Sequence, residues 1–445
     1  MANWVADFLT RNPDKAALPI ALRAKHSIHF KRPDGQVEAN FTGAPCHFQD
    51  TDGLWKPLDT KLIVIGSEYG APGLKARIGL DGTARIEGGI YSHRSTRIGV
   101  FNSQTKKFVT AKTIPLGAIQ DDKLIAENDV FKRVLTLTET GLREEIIISA
   151  LPAGLGTLVN DWAVLETAIT GVSFPDGWID DFSADGFMFP PPLTSDAARN
   201  IAPCKRYART VGGVQYIYTG VPVSWLADAV YPVTIDPDFV EDAADGYIYG
   251  SNDGTYATAR STSSVYNITA TSLYIGQEKS GTLYTCIRLF LKFVTSAIGA
   301  GSTVTQNNLK MVCTADWSGT NYDIQIVKQD WSAQDPLSDA NREAAYDNCL
   351  AGTADDSILG NTVDIAIVDG HYHFTSGNLS TTWVNKVGNT YYSLISSLDK
   401  AATSPTGTDE IQIASQENAT EAFRPILTVV YTGGGASTSH FFSMF

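Results

Sequence analysis

An all-β fold in two domains is what the sequence predicts, on three observations. Short β-branched and aromatic runs recur along the chain, turn formers separate them, and 445 residues are more than one sandwich needs. Apolar residues make up 43% and charged residues 18%, with 38 Gly and 19 Pro, so the chain is globular and turn-rich rather than disordered.

Ser27-Ile28-His29-Phe30 and Gln36-Val37-Glu38-Ala39-Asn40-Phe41 flank Arg32-Pro33-Asp34-Gly35, where Pro presets the turn and Gly accepts positive φ; this predicts a hairpin. Lys61 to Ile65, Ala84 to Glu87, Arg97 to Phe101, Val134 to Thr138 and Glu145 to Ile148 are further strands. Phe187-Met188-Phe189-Pro190-Pro191-Pro192, between Ala184 and Cys204, reads as a long Pro-rich loop. After Tyr231-Pro232-Val233-Thr234-Ile235-Asp236-Pro237 the composition turns acidic and rich in Thr, Ser, Tyr and Asn, which places a domain boundary near Pro237.

Four segments result: an N-terminal arm at 1–20 with one short helix, a β-rich sandwich- or barrel-like leader domain at 21–237, a jelly-roll-like β-sandwich at 238–432, and a tether at 433–445. Residues 3–10 put Trp4, Val5, Phe8 and Leu9 on a common helix face stopped by Asn12-Pro13. Gly433-Gly434-Gly435 leads into Phe441, Phe442 and Phe445. Trp4, Phe8, Phe441, Phe442 and Phe445 are therefore the candidate assembly residues, with docking on the chain's own domains as the alternative.

Charge narrows the partners. The formal net charge is -14, and from Asp236 onward 10 Lys+Arg face 23 Asp+Glu, which leaves 34 − 10 = 24 against 48 − 23 = 25 before it. A domain at 10 − 23 = −13, in a chain with no basic run, has no electrostatic footprint for nucleic acid. The N-terminus lacks a basic-then-apolar signal and no stretch reaches the length of a membrane span, so the expectation is a soluble product made in the cytoplasm. Five widely spaced cysteines with no Cys-x-x-Cys pair predict free, mostly buried thiols.

The phrase Tyr231-Pro232-Val233-Thr234-Ile235-Asp236-Pro237, with Trp55-Lys56-Pro57-Leu58-Asp59 and Gly141-Leu142-Arg143-Glu144-Glu145-Ile146 before it, resembles the leader of bacterial proteins carrying a DNRLRE domain. Arg288-Leu289-Phe290-Leu291-Lys292-Phe293, Ala300-Gly301-Ser302-Thr303-Val304 with Leu309, Thr382-Trp383-Val384 and Arg424-Pro425-Ile426-Leu427-Thr428-Val429-Val430-Tyr431 are similar to the phrases of that domain, over most of residues 50–432. The resemblance implies a β-sandwich akin to some carbohydrate-binding modules. Such proteins are usually secreted or wall-attached, and without an export signal the same features fit a bacteriophage virion protein: a head decoration, collar or tail-fibre-like component. It would be a homo-oligomer contacting other virion proteins and, through its sandwich, a host surface polysaccharide. A bacterial cell-surface carbohydrate-binding protein and a carbohydrate-active enzyme are the alternatives.

Catalytic motifs are missing: no Gly-x-Ser-x-Gly, no His-Glu-x-x-His, no phosphate-cradling Gly-Lys-Ser/Thr and no dinucleotide fingerprint. No catalytic residue, metal or cofactor is assigned, although a glycosidase needs only two carboxylates, which sequence cannot place. His371-Tyr372-His373 puts two imidazoles on one face of an exposed strand, without a third ligand. Asp242, Asp245 and Asp253 could offer oxygens to Ca²⁺ but follow no recognised loop spacing. Among the large aromatics, Trp317, Tyr322 and Trp331 are the candidate ligand contacts, Trp317 at a loop before Ser-Gly-Thr-Asn; Trp383, in a strand-like context, is expected in the core.

Overall fold

The computed structural model describes residues 4–120, 123–138, 141–150, 161–198, 201–202, 204–236, 239–240, 245–268, 270, 272–361, 367–368, 371–418 and 420–433. It is mostly β, built of antiparallel sheets, with a short helix, Trp4–Arg11, near the N-terminus and a few other short helices.

The chain forms two compact units, and their boundaries differ from the sequence reading. One unit is Asp59–Asp242; the other joins Ala2–Leu58 to Ala243–Phe445. The expected continuous 21–237 domain is thus split, and the unit Asp59–Asp242 is an insertion between two parts of the other. The reason is strand pairing. The predicted hairpin forms as Ser27–Lys31 and Val37–Thr42, with Arg32 N–H donating to the Gln36 carbonyl at 2.9 Å and Gly35 at φ 82°. Its second strand then pairs antiparallel with Ile426–Thr432, with Phe41 opposite Leu427 and Ala39 opposite Val429. The apolar face of the hairpin finds its partner at the far end of the chain, which local sequence does not encode.

In this composite unit the strands run in the order Ile20–Ala24, Ser27–Lys31, Val37–Thr42, Ile426–Thr432, Thr303–Asp316, Thr408–Ala414, Ser272–Ser280, Leu283–Val294, Asn389–Ser396, Asp323–Val327, Ala354–Asn361. Residues from across that order, among them Phe41, Ile275, Leu289, Met311, Ile326, Leu394, Ile411 and Leu427, meet in one buried cluster. The strands of this sheet therefore share one large core. One ion pair is fully enclosed: Arg288 Nε donates to Asp399 Oδ2 at 2.8 Å, and its Nη1 and Nη2 donate to the Tyr346 and Arg260 carbonyls, both at 2.8 Å. Burying these charges is tolerable because nearly every donor of the guanidinium is used.

The helix Trp4–Arg11 corrects the assembly expectation. Trp4, Val5 and Phe8 are buried against Ile28, Phe30, Cys46 and Ile426 of their own unit, with Trp4 and Phe8 rings stacked at 4.9 Å. The apolar stripe is already satisfied, so Trp4 and Phe8 are not presented to a neighbour. Phe441, Phe442 and Phe445 lie outside the described residues.

The unit Asp59–Asp242 has two principal sheets. The first orders Gly177–Ile179, Lys205–Val211, Val214–Pro222, Asp161–Thr170, Ser92–Asn102, Thr83–Ile86, Ala76–Ile78, Glu68–Gly70 and Ile63–Ile65, with Lys107–Thr113 also on Ser92–Asn102. The second contains Lys123–Glu127, Phe131–Thr138, Gly141–Ile148 and Val233–Asp236. Ile98, Ala163, Leu165 and Val221 of the first pack with Phe131, Ile146, Ile148, Val233 and Ile235 of the second. Alternation along each strand turns the intervening residues to the opposite face of the first sheet. The Pro-rich stretch expected as a loop instead carries short strands, Phe187–Phe189 and Leu193–Ser195, because Phe187 and Phe189 are drawn into the core. All five cysteines are free; Cys46, Cys286, Cys313 and Cys349 are buried and Cys204 is half-buried.

Candidate functional site

The face of the first sheet turned away from the second carries the most distinctive chemistry. Tyr216-Ile217-Tyr218 sets two phenols on that face by strand alternation, and the hairpin partner adds Tyr207 and Arg209 opposite them. Ring centroids then run in an unbroken series: Trp162 to Trp178 at 4.8 Å, Trp178 to Tyr207 at 5.2 Å, Tyr207 to Phe101 at 4.8 Å, Phe101 to Tyr218 at 4.8 Å and Tyr218 to Phe108 at 5.3 Å. Phe101 and Tyr218 are nearly parallel, at 6°. They meet over a row without bulk, in which Gly99 and Gly220 flank Val164. A Cβ at Gly99 would meet the Phe108 ring at 2.9 Å, and one at Gly220 the Ala163 carbonyl at 1.9 Å. Trp178 is 43% exposed, a large aromatic surface left to solvent.

Charge is placed along the same face. The strand Ser92–Asn102 bulges between Ser95 and Arg97, so Thr96 and Arg97 both reach Glu166. Arg97 holds that carboxylate with both Nε and Nη2 at 2.7 Å, Thr96 Oγ1 donates at 2.9 Å, and the Arg97 guanidinium sits 5.1 Å from the Phe108 ring centre. Lys106 places its ammonium 4.4 Å from the Tyr207 centre, and Lys205 lies 5.8 Å from that of Trp178. Tyr218 is pushed up to about 12 by burial first and by Glu166 next, so it remains a neutral phenol. Arg97, Lys106, Lys107, Arg209, Phe108 and Tyr216 are among the residues around an open cleft of about 520 Å³.

A second polar cluster lies between the sheets. Arg133 Nε donates to Glu144 Oε1 at 2.5 Å, Ser95 Oγ to the same oxygen at 3.2 Å, and His93 Nε2 is 3.8 Å from Glu144 Oε2. Burial raises the Glu144 carboxyl, but Arg133 and His93 outweigh it and hold it below the ordinary range. Burial lowers His93 to about 4, so it is neutral at pH 7. The adjoining space is about 30 Å³, room for one water, and the cluster is read as structural.

In the composite unit, Asp245 and Glu417 form a buried carboxyl pair beside Arg424. Gln416 N–H donates to Asp245 Oδ2 at 2.7 Å. The two carboxyls act on each other directly, and with burial this favours a proton held on one of them. Burial raises both, Glu417 to about 7.

The candidate ligand contacts fare differently. Trp331 is buried, its Nε1 donating to the Tyr392 carbonyl at 3.1 Å and its ring edge-on to Phe290 and Tyr391. Tyr322 is buried in the main core, its hydroxyl donating to the Ile275 carbonyl at 2.9 Å. Neither can touch a ligand; each ring is inside because its one polar group finds a backbone acceptor there. Trp317 is half-buried and near-parallel to Tyr274 at 6.4 Å. Trp383 is half-buried at the core's rim, in the 3-10 turn Thr381–Trp383 rather than a strand, with Nε1 donating to the Tyr391 carbonyl at 2.7 Å.

His371 and His373 lie on the strand His371–Thr375 as expected, but half-buried rather than exposed, with ring centres 4.4 and 6.4 Å from that of Phe423. Asp245 is buried and Asp253 exposed at opposite ends of one nine-residue strand, about 26 Å apart at the usual rise, so they cannot share a Ca²⁺; Asp242 lies outside the described residues. No group of three His, Cys, Asp or Glu among the described residues is placed to hold a metal.

The aromatic face was missed by sequence reasoning. Its local signal was Tyr216-x-Tyr218 beside Lys205-x-Tyr207-x-Arg209, two alternating runs joined by Gly212-Gly213. Trp162 and Trp178 join it only through strand pairing.

No family model matches the chain, and no curated protein matches it. Among solved structures, an alpha-xylosidase of glycoside hydrolase family 31 from Xanthomonas citri aligns at a TM-score of 0.15 and 7% identity, over 94% of this chain and 38% of that one. The chain thus spans well under half of that enzyme's length, and a likeness at this score carries no argument.

Proposed function

We propose that the protein is a non-enzymatic, glycan-binding structural protein, and that the aromatic face of the unit Asp59–Asp242 is its glycan surface. The observation that carries the reading is the ring series that includes Trp178, which is 43% exposed. Aromatic faces flanked by hydrogen-bonding and charged groups suit sugar rings, whose C–H faces stack while their hydroxyls are satisfied at the edges. A place in a bacteriophage virion, as a decoration, collar or tail-fibre-like component that assembles with itself and with other virion proteins, accords with the all-β architecture and with the DNRLRE-like phrases of the sequence.

Binding rather than hydrolysis is favoured by the carboxylates. A glycosidase needs two acids flanking its substrate. The cleft is lined by one, Glu166, which is committed to Arg97. The Asp245–Glu417 pair is buried. The test is a glycan array probed with the full chain: retention of a defined set of glycans without their cleavage is expected, and turnover of a bound glycan, or no binding at all, contradicts the reading.

A further inference from the structure

We infer that the cleft beside Tyr207 binds the carboxylate of an acidic polysaccharide, so that the glycan is a uronic-acid polymer rather than a neutral one. This rests on the glycan-binding reading above and narrows its ligand class.

The inference follows from an imbalance of charge in a built cavity. Four cations, Arg97, Lys106, Lys107 and Arg209, line about 520 Å³ of space against one carboxylate, Glu166. Glu166 is only 2% exposed and is taken up by Arg97 through two bonds of 2.7 Å, with a third from Thr96 at 2.9 Å. Arg97 and Glu166 therefore neutralise each other. Lys106, Lys107 and Arg209 have no carboxylate partner among the described residues.

Two of those three are fixed in place by other means. The turn before Lys106 is closed by Asn102, whose Oδ1 accepts from the Gln104 and Thr105 N–H groups at 3.1 and 2.8 Å. Lys106 follows in the left-handed region, φ 58°, a conformation that costs a non-glycine residue about 1 kcal/mol or more. That backbone puts its ammonium over Tyr207, and its carbonyl accepts a bond from Arg209 Nη1. The cations are thus held at the cleft without an anion of their own. Phe108 and Tyr216, both half-buried, supply apolar wall beside them.

A carboxylate fits because guanidinium donors match its two oxygens, and a second sugar can extend along the ring series toward Trp178. Nucleic acid fits less well. Duplex DNA carries a charge about every 1.7 Å, whereas the unpaired cations here are confined to one cleft of a chain whose net charge is -14.

The test is isothermal titration calorimetry of the full chain at low salt with three probes: oligogalacturonate, the same oligomer fully methyl-esterified, and oligothymidylate. The free acid should bind at least about tenfold more tightly than its ester. Arg209→Gln with Lys107→Gln should remove that preference, bringing acid binding down to the level of the ester, in a chain that still melts cooperatively. Lys107 is exposed, so Lys107→Gln alone provides a variant without folding consequences and should weaken acid binding in the same direction. Equal affinity for acid and ester overturns the inference and leaves the glycan reading standing. An acid preference that survives both substitutions, or tighter binding of oligothymidylate, also overturns the inference. Binding of no oligomer by a chain that also retains nothing on a glycan array overturns both.

Discussion

The Tyr431 hydroxyl and His29 Nδ1 are hydrogen-bonded at 2.9 Å, across 402 positions of sequence. His29 Nε2 is engaged in turn by Ser27 Oγ at 2.8 Å, and burial holds the imidazole near 3, so it is neutral and both ring nitrogens are used. The contact joins the N-terminal hairpin to the last strand. It makes the composite unit a closed structure whose first and last parts depend on each other.

A fragment of residues 243–433 alone should therefore not fold cooperatively. Without Val37–Thr42, the strand Ile426–Thr432 becomes an open edge and Ile426 loses the helix packed on it. Joining Ala2–Leu58 to Ala243–Phe445 through a flexible Gly-Ser linker should restore a single cooperative melt by circular dichroism. A sharp melt of the short fragment would show that the hairpin is an accessory.

Trp331→Ala should destabilise the composite unit by about 3–5 kcal/mol, the usual result of emptying a core aromatic site, while Trp317→Ala changes it little and half-buried Trp383→Ala falls between. Urea unfolding of the three variants checks the order. Equal midpoints for Trp317→Ala and Trp331→Ala would contradict the burial described here.

The carboxyl pair predicts a pH dependence. Glu417 is held near 7 by burial, against 4.5 ordinarily, so between those values the folded chain binds more protons than the unfolded one. Stability from this group is complete below about 4.5 and is lost as pH rises through 7. Burial of His29 and His47, lowered to about 3 and 4, acts oppositely by removing stability as pH falls below 6.5. Comparison with Glu417→Gln separates the two: the wild type should lose more melting temperature than the variant between pH 5 and pH 7.5. Parallel profiles would show that no proton is shared with Asp245.

The β class, the hairpin at Arg32 to Gly35 and the N-terminal helix were legible because each is set by residues within a few positions of one another: alternation, a Pro-Gly turn, an apolar stripe. The discontinuous unit was not, since nothing near Phe41 encodes Leu427 as its neighbour. Trp331 and Tyr322 misled for a related reason. Each carries one polar group that suits a surface, but the indole N–H and the phenol each find a backbone carbonyl inside. The aromatic face was half-legible. Alternation in Tyr216-Ile217-Tyr218 was visible in the chain, whereas Trp162, Trp178 and Phe108 reach it only through the pairing of six strands.

The glycan surface is tested most directly by titrating the full chain and its Trp178→Ala variant with one glycan retained on the array. Trp178 is half in solvent between Trp162 and Tyr207, so its loss should leave the melting temperature nearly unchanged. Affinity should be at least about tenfold weaker in the variant, which is ~1.4 kcal/mol of lost stacking. Undiminished affinity in a normally folded Trp178→Ala chain would contradict it.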